Sequence, residues 1–296
     1  MQINRTYKFG RIKCIISKNI GAYSRYSFVN YINKTKGIGL FSSNMSTDIL
    51  NMELVTFVNN ASFYDLLISI LSFLKNCGVP KKWTLLIDDE FTSSNKLILE
   101  QCSFLEIRRW DSFSDKITSL SYEGKWQLRK YFAYASYPIV RSTIFIDSDV
   151  IFYSLFKKYF EVLQCKNWYL PEPPECNNYD INAIYEEGSI GNMYSVNAGF
   201  LIINNPINWK IGFEYIDKCI INNSDSYFID QTALNLIYLS DSNAQILDPR
   251  IFHASANDHF AISALNTSEF ALRHYVGLIR HKMWQLGWKQ FIKKLN

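Results

Sequence analysis

The sequence has few of the features that mark a secreted, nucleic-acid-binding or membrane-spanning protein. Its six cysteines are scattered without a Cys-x-x-Cys pair, which argues against a disulfide framework or a zinc knuckle and favours reduced thiols in a cytoplasmic protein. No dense block of lysine and arginine is present and the net charge is only +4, so nucleic acid is not expected as the main partner. The apolar stretch at 66–74 is too short to span a bilayer, and the N-terminus does not predict a signal peptide.

What is present is the composition of a globular protein, because 48% of the 296 residues are hydrophobic and 20% are charged. Residues 1–50 are polar and interrupted by Gly, Ser and Asn, and they form an N-terminal extension whose structure the sequence does not predict. After that, apolar runs alternate with segments of helical spacing. The predicted strands lie at 53–58, 82–88, 103–110 and 143–147, and the predicted helices at 61–78, 92–102 and 123–138. This alternation predicts an α/β fold with a mostly parallel central sheet flanked by helices.

The second half of the chain is less regular. Residues 168–192 contain three prolines and several acids, a pattern that predicts a long surface loop or lid. The remaining predicted elements are strands at 195–205 and 244–252, helices at 207–223 and 228–241, and a basic helix at the C-terminus.

Two carboxylates follow the fourth predicted strand, where Asp147-Ser148-Asp149 interrupts an apolar run. In extended backbone, residues two apart project to the same side, about 7 Å from each other. Ligands bind at the carboxyl ends of the strands of parallel sheets. Since an unpaired buried charge costs several kcal/mol, we expect a cation here, and two carboxylates can share one divalent ion.

Two classes of enzyme place Asp-x-Asp after an apolar strand. In haloacid-dehalogenase-like phosphatases the first acid, here Asp147, is a nucleophile, but that motif usually opens its domain and here three strand–helix units precede it. In nucleotide-sugar glycosyltransferases the motif holds a divalent cation against the sugar diphosphate. A non-catalytic module that binds a nucleotide sugar or a glycan is a third alternative.

Further motifs follow in an order that resembles glycosyltransferase family 8, which includes glycogenin and bacterial lipopolysaccharide galactosyl- and glucosyltransferases. The resemblance covers about residues 52–290 and is carried by segments 54–76, 128–149, 196–204, 230–235 and 274–284. It implies a GT-A fold over residues 51–296, with a nucleotide-binding half to about residue 150 and an acceptor-binding half from about residue 151. It also implies a UDP-sugar donor, Mn²⁺ or Mg²⁺, and transfer of a hexose, glucose or galactose, with retention of configuration. The acceptor would be a glycan, a lipid-linked sugar or a protein.

The resemblance implies that Asp147, Asp149 and His274 bind the metal. An imidazole among carboxylates suits Mn²⁺ better than Mg²⁺. Gly277, three residues after the histidine, would let the backbone approach the phosphates.

The cation for the β-phosphate has two candidates, because the family's proline is missing here and its tryptophan is displaced. Arg280 stands at the position of the family's lysine and would form a bidentate clamp, whereas Lys282 would act as a point charge. We favour Arg280 and keep Lys282 as the alternative.

The remaining donor contacts implied by the resemblance lie on the first strand, on the helix before the acidic motif, and around the sugar. Those for the uracil are Thr56, Val58, Asn59 and Tyr64, of which Tyr64 would stack on the base. The cation near the donor is Arg129, with Lys125 and Lys130 as competitors. The sugar-side residues are Ser148, Asn197 and Ala198, with Gly199 leaving room for a hydroxyl that Asn197 would bind.

Asp230 and Gln231 are the catalytic candidates. Gln231 would support an oxocarbenium-like transition state by its carbonyl dipole, whereas helix N-capping alone would also explain Asp230. Retention allows a covalent intermediate on Asp230 or a same-face attack in which the departing phosphate takes the acceptor proton, and we favour the second. An inverting enzyme would instead need a base such as Glu172 or Glu175. The C-terminal segment 288–296 could rest on an anionic membrane or be a solvated helix.

Overall fold

Four parallel strands form the half of the main sheet that positions the acidic motif. The computed structural model describes residues 2–41, 48–88, 90–109, 122–139, 142–172, 180, 195–222, 228–263 and 266–292, with side chains from residue 10 and, in the helix that begins at Tyr122, from residue 127. The strands are β1 (Ile49–Val58), β2 (Val79–Ile87), β3 (Leu105–Arg109), β4 (Thr143–Ile146), β5 (Val150–Phe152), β6 (Asn167–Pro171), β7 (Val196–Ile203), β8 (Ala244–Ile246), β9 (Phe252–His253) and β10 (Leu272–His274).

The helices connect and cover these strands. They are α1 (Gln2–Thr35), α2 (Phe63–Asn76), α3 (Ser93–Leu99), α4 (Tyr122–Ser136), α5 (Phe156–Tyr159), α6 (Trp209–Ile221), α7 (Ile229–Ser240) and α8 (Arg280–Gln285), with short 3-10 turns at Val162–Gln164, Gly277–Ile279 and Trp288–Phe291. All of the strands and helices predicted between residues 52 and 147 are therefore confirmed, and so are the strand at 195–205 and the helices at 207–223 and 228–241.

The main sheet has seven strands in the order β3-β2-β1-β4-β7-β6-β8. Strands β3, β2, β1 and β4 are parallel, β7 is antiparallel to both β4 and β6, and β8 pairs parallel with β6. This confirms the predicted α/β fold. Residues of β1 from Leu54 to Val58 are all buried because helices cover both faces of the sheet, which accounts for an apolar run without alternation.

A second, three-stranded sheet in the order β5-β10-β9 was not predicted. Strand β5 begins at Val150, directly after the acidic motif, and pairs antiparallel with β10, which ends at His274. The motif therefore lies where the chain passes from the main sheet to the small one, and the small sheet brings a residue from the end of the chain to it.

Residues 2–35, whose structure the sequence does not predict, form the long helix α1. The inner face of this helix contacts α8 through small and polar residues. A Cβ on Gly21 would lie 2.4 Å from the carbonyl oxygen of His281, and the Ser17 hydroxyl lies 2.9 Å from His281 Nε2. Further along, the Phe28 ring lies 5.6 Å from the ring of Trp284. Because Ser17 and Gly21 interrupt the large apolar residues on this face, the buried side of the helix lacks the continuous apolar stripe of a usual core-facing helix.

The loop prediction for 168–192 is wrong at its start, because residues 168–171 belong to strand β6. From there to residue 194, only Glu172 and Asp180 are described. The late strand predicted at 244–252 is two separate short strands, β8 and β9. At the C-terminus, the predicted basic helix is a 3-10 turn over Trp288–Phe291, and residues 293–296 lie outside the described part of the chain.

Candidate active site: an acidic cluster beside a polar cleft

The acidic motif is held by backbone hydrogen bonds from both sheets. The backbone N–H of Asp147 donates to the carbonyl oxygen of Gly199 in β7, at 2.9 Å. The carbonyl oxygen of Asp149 accepts from the N–H of Tyr275, also at 2.9 Å. Both acids are therefore fixed at the carboxyl end of β4, where the alternation of strands and helices predicts a ligand site.

The structure brings His274 to the two acids, as predicted. Its Nε2 atom lies 3.1 Å from Asp149 Oδ1 and 3.8 Å from Asp147 Oδ2. Ligand atoms of the three residues all lie within 4.8 Å of one another, close enough to share one metal ion. Asp149 and His274 are buried, and Asp147 is partly exposed toward the cleft.

The hydrogen bonds around His274 indicate which ring nitrogen faces the acids as an acceptor. Asn197 Oδ1 lies 2.7 Å from His274 Nδ1 and also accepts from the N–H of Gly199, while Asn197 Nδ2 donates to Glu172 Oε1 at 3.1 Å. These three contacts fix the amide orientation, so Nδ1 of the histidine carries the proton and donates. In the neutral ring Nε2 then presents a lone pair to carboxylate oxygens, an arrangement that is favourable only with a cation or a proton between them. The three side chains thus fit a divalent metal ion.

Gly199 makes the position of the histidine possible. A Cβ at residue 199 would lie 2.2 Å from Cε1 of the His274 ring. The expectation that Gly199 leaves room for a sugar hydroxyl is therefore wrong, because the imidazole fills that space. The Asn197 amide contacts His274, Glu172 and the N–H of Gly199, so it positions the histidine instead of reaching into the cleft.

Lys130 connects the metal centre to the first turn of α7. Its Nζ lies 3.3 Å from Asp147 Oδ1 and 3.3 Å from Asp230 Oδ2. Burial alone would lower the pKa of Lys130, but the two carboxylates outweigh it and raise that pKa above its usual value. The residue favoured from the sequence, Arg129, does not line the described cleft, and the side chain of Lys125 lies outside the described part of the chain.

Asp230 is not the N-cap of α7, since that position belongs to Phe228. Its carboxylate instead faces Lys130, and burial, which outweighs that cation, raises the pKa of Asp230. Lys130 and Asp230 also line a small pocket, with Ala198 beside them. The helix position of Asp230 is thus explained by an ion pair with α4.

Gln231 and Glu172 form a buried pair next to Asn197. The Gln231 side-chain amide donates to Glu172 Oε2, and Ser195 Oγ donates to the same oxygen at 3.5 Å. Glu172 was considered as a general base on a surface loop, but it is buried at the end of β6 and accepts from Asn197 as well. Glu175 lies outside the described residues. A glutamate with these donors is placed to orient Gln231.

Arg280 and Lys282 occupy different environments. The Arg280 guanidinium contacts Asp149 through Nε at 2.8 Å and Nη2 at 2.7 Å, with both nitrogens on the same carboxylate oxygen, Oδ2. Burial alone would raise the pKa of Asp149, but the Arg280 guanidinium opposes burial most strongly, and that pKa lies well below its usual range. Lys282 is fully buried and donates to the carbonyl oxygens of Ala261 and Ser263, so it lies away from the acids.

A polar cleft opens beside the two acids and Arg280. Its lining residues are Phe57, Asn59, Ala61, Ser62, Lys130, Asp147, Ser148, Asp149 and Arg280. Asn59 and Ser148 were predicted for this site, whereas Phe57, Ala61 and Ser62 were not. A Cβ added to Gly277, at the start of its 3-10 turn, would meet no atom of the described residues within 4 Å, so the backbone there is open to approach.

Two predicted base contacts have structural roles instead. The Thr56 hydroxyl accepts from Trp83 Nε1 at 3.0 Å, and Val58 is buried in the core under α2. Side chains alternate along a strand, so Phe57 is the residue of this segment that faces the cleft. Tyr64 packs edge-on against Phe63 at 5.1 Å between ring centroids.

A cation from α1 reaches the same region, and no pattern in the sequence predicts it. Arg25 Nη2 donates to the carbonyl oxygen of Ala61 at 3.1 Å, and its guanidinium lies 5.6 Å from the ring centre of Tyr64. Its Nε lies 3.7 Å from Asp65, whose carboxylate also accepts from Trp284 Nε1 at 2.8 Å. Burial raises the pKa of Asp65 to about 6 against the opposing effect of Arg25.

The comparisons with known proteins bear on the fold. No protein family matches the sequence, and neither does any curated protein. The structure is similar to the galactosyltransferase LgtC solved with donor and acceptor sugar analogues, at 11% identity and a TM-score of 0.56, over 83% of this chain and 98% of that one. An active-site mutant of LgtC matches at 15% identity and a TM-score of 0.54, over 76% of this chain and 88% of that one. The bifunctional glycosyltransferase WbbM matches at 11% identity and 0.53, over 82% of this chain but only 52% of its own length. At these identities the likeness shows the fold, which is the GT-A fold of these glycosyltransferases.

Proposed function

We propose that this protein is a metal-dependent glycosyltransferase that moves a hexose, glucose or galactose, from a UDP-sugar to a glycan, lipid-linked or protein acceptor. The observation that carries the proposal is the convergence of Asp147, Asp149 and His274 at the carboxyl end of β4, with Arg280 at their rim. Two carboxylates and an imidazole suit Mn²⁺ better than Mg²⁺. When bound, such an ion supplies Lewis-acid neutralisation of a leaving diphosphate.

The protein's own groups supply the rest of the charge balance. The Arg280 guanidinium is charged at every physiological pH and presents a planar fork that matches a phosphate. It now pairs with Asp149 at 2.7 Å, which places it at the metal centre before any donor binds. Among the two candidates from the sequence, Arg280 is supported by this position, because Lys282 is fully buried against two carbonyl groups.

Gln231 is oriented for a role at the sugar. Since its amide nitrogen donates to Glu172, the side-chain carbonyl is the part left to face a substrate. A carbonyl dipole aimed at a developing oxocarbenium ion stabilises it without a covalent bond. Glu172 is then a positioning residue, because it holds the amide and does not contact the substrate.

The same contacts favour same-face attack over a covalent intermediate on Asp230. That carboxylate is buried and pairs with Lys130 at 3.3 Å, so it is a poor nucleophile. The departing phosphate would accept the acceptor's proton, and no further base is needed. NMR analysis of the product anomer tests retention, and an inverted linkage would contradict this route.

The phosphatase alternative receives no support from the fold. Three strand–helix units precede Asp147, and the solved structures that this chain resembles are glycosyltransferases. The non-catalytic alternative is tested by activity, since a binding module would not release UDP.

The test measures UDP release from UDP-glucose and UDP-galactose with and without Mn²⁺. We expect metal-dependent release with one donor, and a loss of at least about a hundredfold in Asp149→Asn, because an oriented metal contributes several kcal/mol. Glu214→Gln is the matched control. Glu214 is exposed and forms a surface ion pair with Lys210, one turn earlier on α6, at 3.5 Å. Release that is independent of metal, or absent with every UDP-sugar, would overturn the proposal.

A further inference from the structure

Helix α1 exposes an apolar stripe on the side away from the protein. Six exposed residues form this stripe, which we call the outer stripe, and their exposed fractions run from 42% to 77%. They are Ile12, Ile15, Ile16, Ile20, Tyr23 and Tyr26. At 3.6 residues per turn these six positions fall within an arc of about 140°. The buried residues of the helix, among them Cys14, Ser17 and Phe28, lie on the opposite side. The fold therefore does not require the outer stripe to be apolar.

The charge of this helix has a single sign. Residues 2–35 contain seven cations and no Asp or Glu, which leaves 24 cations against 27 anions in the rest of the chain. The cations of the helix are Arg5, Lys8, Arg11, Lys13, Lys18, Arg25 and Lys34. Arg11 and Lys18 are exposed and lie along one edge of the outer stripe, while Lys13 lies along the other edge. The whole excess of positive charge thus resides on the element that carries the stripe.

The apolar outer stripe and the positive charge of α1 together indicate which kind of partner could cover this helix. A second copy of the chain would bring another helix with seven positive charges against the first, and like charges that close repel. An anionic lipid surface offers apolar depth for isoleucine and negative headgroups for the flanking cations. Tyrosines at the stripe suit the interface between the two. Among the described residues no helix is both long and apolar enough to cross a bilayer, so the helix would lie in the plane of the surface.

We propose that α1 binds the protein to an anionic phospholipid membrane through the outer stripe. The isoleucines enter the boundary of the acyl chains, and Arg11, Lys13 and Lys18 contact lipid phosphates at either side. The inner face of α1 stays seated on α8 through Gly21 and Ser17. The inference rests on this helix alone and is independent of the proposed transferase activity.

The experiment is flotation of the full chain with vesicles of phosphatidylcholine containing one-third phosphatidylglycerol, and with vesicles of phosphatidylcholine alone. We expect binding to the first, little to the second, and loss in high salt. The triple variant Ile12→Ser/Ile16→Ser/Ile20→Ser should reduce the partition coefficient at least about tenfold, since each side chain buries several methylene groups. Arg11→Gln/Lys18→Gln should reduce it about fivefold for each cation removed.

The matched control is Ile49→Ser/Leu97→Ser/Ile221→Ser, which removes three aliphatic side chains that are 64% to 78% exposed elsewhere on the surface. It should bind within about twofold of the wild type, because none of these residues belongs to α1. Circular dichroism and thermal unfolding establish that both triple variants are folded. Equal binding to the two kinds of vesicle, no binding at all, or unchanged binding of the α1 triple variant would overturn the proposal. A dimer in sedimentation velocity that only the α1 triple variant abolishes, with no vesicle binding, would overturn it in favour of self-association.

Discussion

The imidazole of His274 lies against the backbone of Gly199, with ring atoms 2.2 to 2.8 Å from the point where a Cβ would be. A glycine on β7 therefore determines where a ligand from β10 can lie. The contact joins the main sheet to the small sheet at the metal centre. It also gives a way to move one metal ligand without replacing it.

We predict that Gly199→Ala weakens Mn²⁺ binding by at least about tenfold, because displacing an oriented ligand costs 10- to 100-fold in affinity. Titration calorimetry with Mn²⁺ measures the effect. His274→Ala should show a similar loss, and the double variant should lose little more than either single one, since both changes remove the same ligand. Additive losses would show that Gly199 acts on something other than His274.

Removing the charge of Lys130 should destabilise the fold. Lys130→Met leaves Asp147 and Asp230 without their shared cation, and breaking a buried ion pair by removing one partner costs about 3 kcal/mol or more. Urea unfolding measures the free energy of unfolding, and Lys130→Met/Asp230→Asn should recover part of the loss. The control Lys96→Met removes an exposed pair with Glu100 and should cost less than about 0.5 kcal/mol. A change of that small size in Lys130→Met would contradict the structural role.

The buried Asp65 should make stability depend on pH. Its folded-state pKa is raised from 3.8 to about 6, chiefly by burial, so between those values the folded chain binds more protons than the unfolded chain. The contribution of Asp65 to the free energy of unfolding therefore falls as pH rises through this window and stays low above it.

Asp65→Asn removes that dependence while keeping an oxygen that accepts from Trp284. The variant should gain stability relative to the wild type as pH rises from 4 to 6, by at most about 3 kcal/mol at the upper end, since one pKa unit corresponds to 1.36 kcal/mol. Urea unfolding of both proteins across the range measures the difference. A difference that shrinks as pH rises would mean that Arg25 and not burial dominates at this site.

The close approach of α1 and α8 predicts that Gly21 tolerates no side chain. In Gly21→Ala the added methyl would lie 2.4 Å from the His281 carbonyl oxygen, and the helix would have to move. We expect a loss of about 2 kcal/mol, as for overpacked sites, seen as a lower midpoint of thermal unfolding. The control Gly10→Ala adds a methyl at an ordinary 3.4 Å from Phe260 and should be neutral or stabilising. An unchanged midpoint in Gly21→Ala would mean that α1 is not seated there.

The sequence predicted strands β1, β2, β4 and β7 of the main sheet well, because most of their residues are buried and they read as apolar runs, as in Leu54–Val58. Asp147, Asp149 and His274 were predicted as a group and the structure brings them together, although the role of each as a ligand stays a prediction. Roles that depend on the direction of a side chain were harder to predict. The sequence cannot show that Asn197 points at a histidine 77 residues away, or that Lys130 and not Arg129 turns toward the acids.

The N-terminal helix was missed for a different physical reason. Helical periodicity reveals a face that buries large apolar groups, and the inner face of α1 buries Ser17 and Gly21 instead. Its cation Arg25, which reaches Ala61 at the cleft, could not be found without knowing where the helix packs.

The seating of α1 on α8 has a practical consequence for producing the protein. A shortened chain that began near Ile49 would uncover the aromatic rings of Trp284 and Trp288, which now pack at a tilt against Phe28. Freshly uncovered aromatic surface of this kind promotes aggregation. We therefore expect a chain that lacks α1 and begins at β1 to aggregate more readily than the full chain.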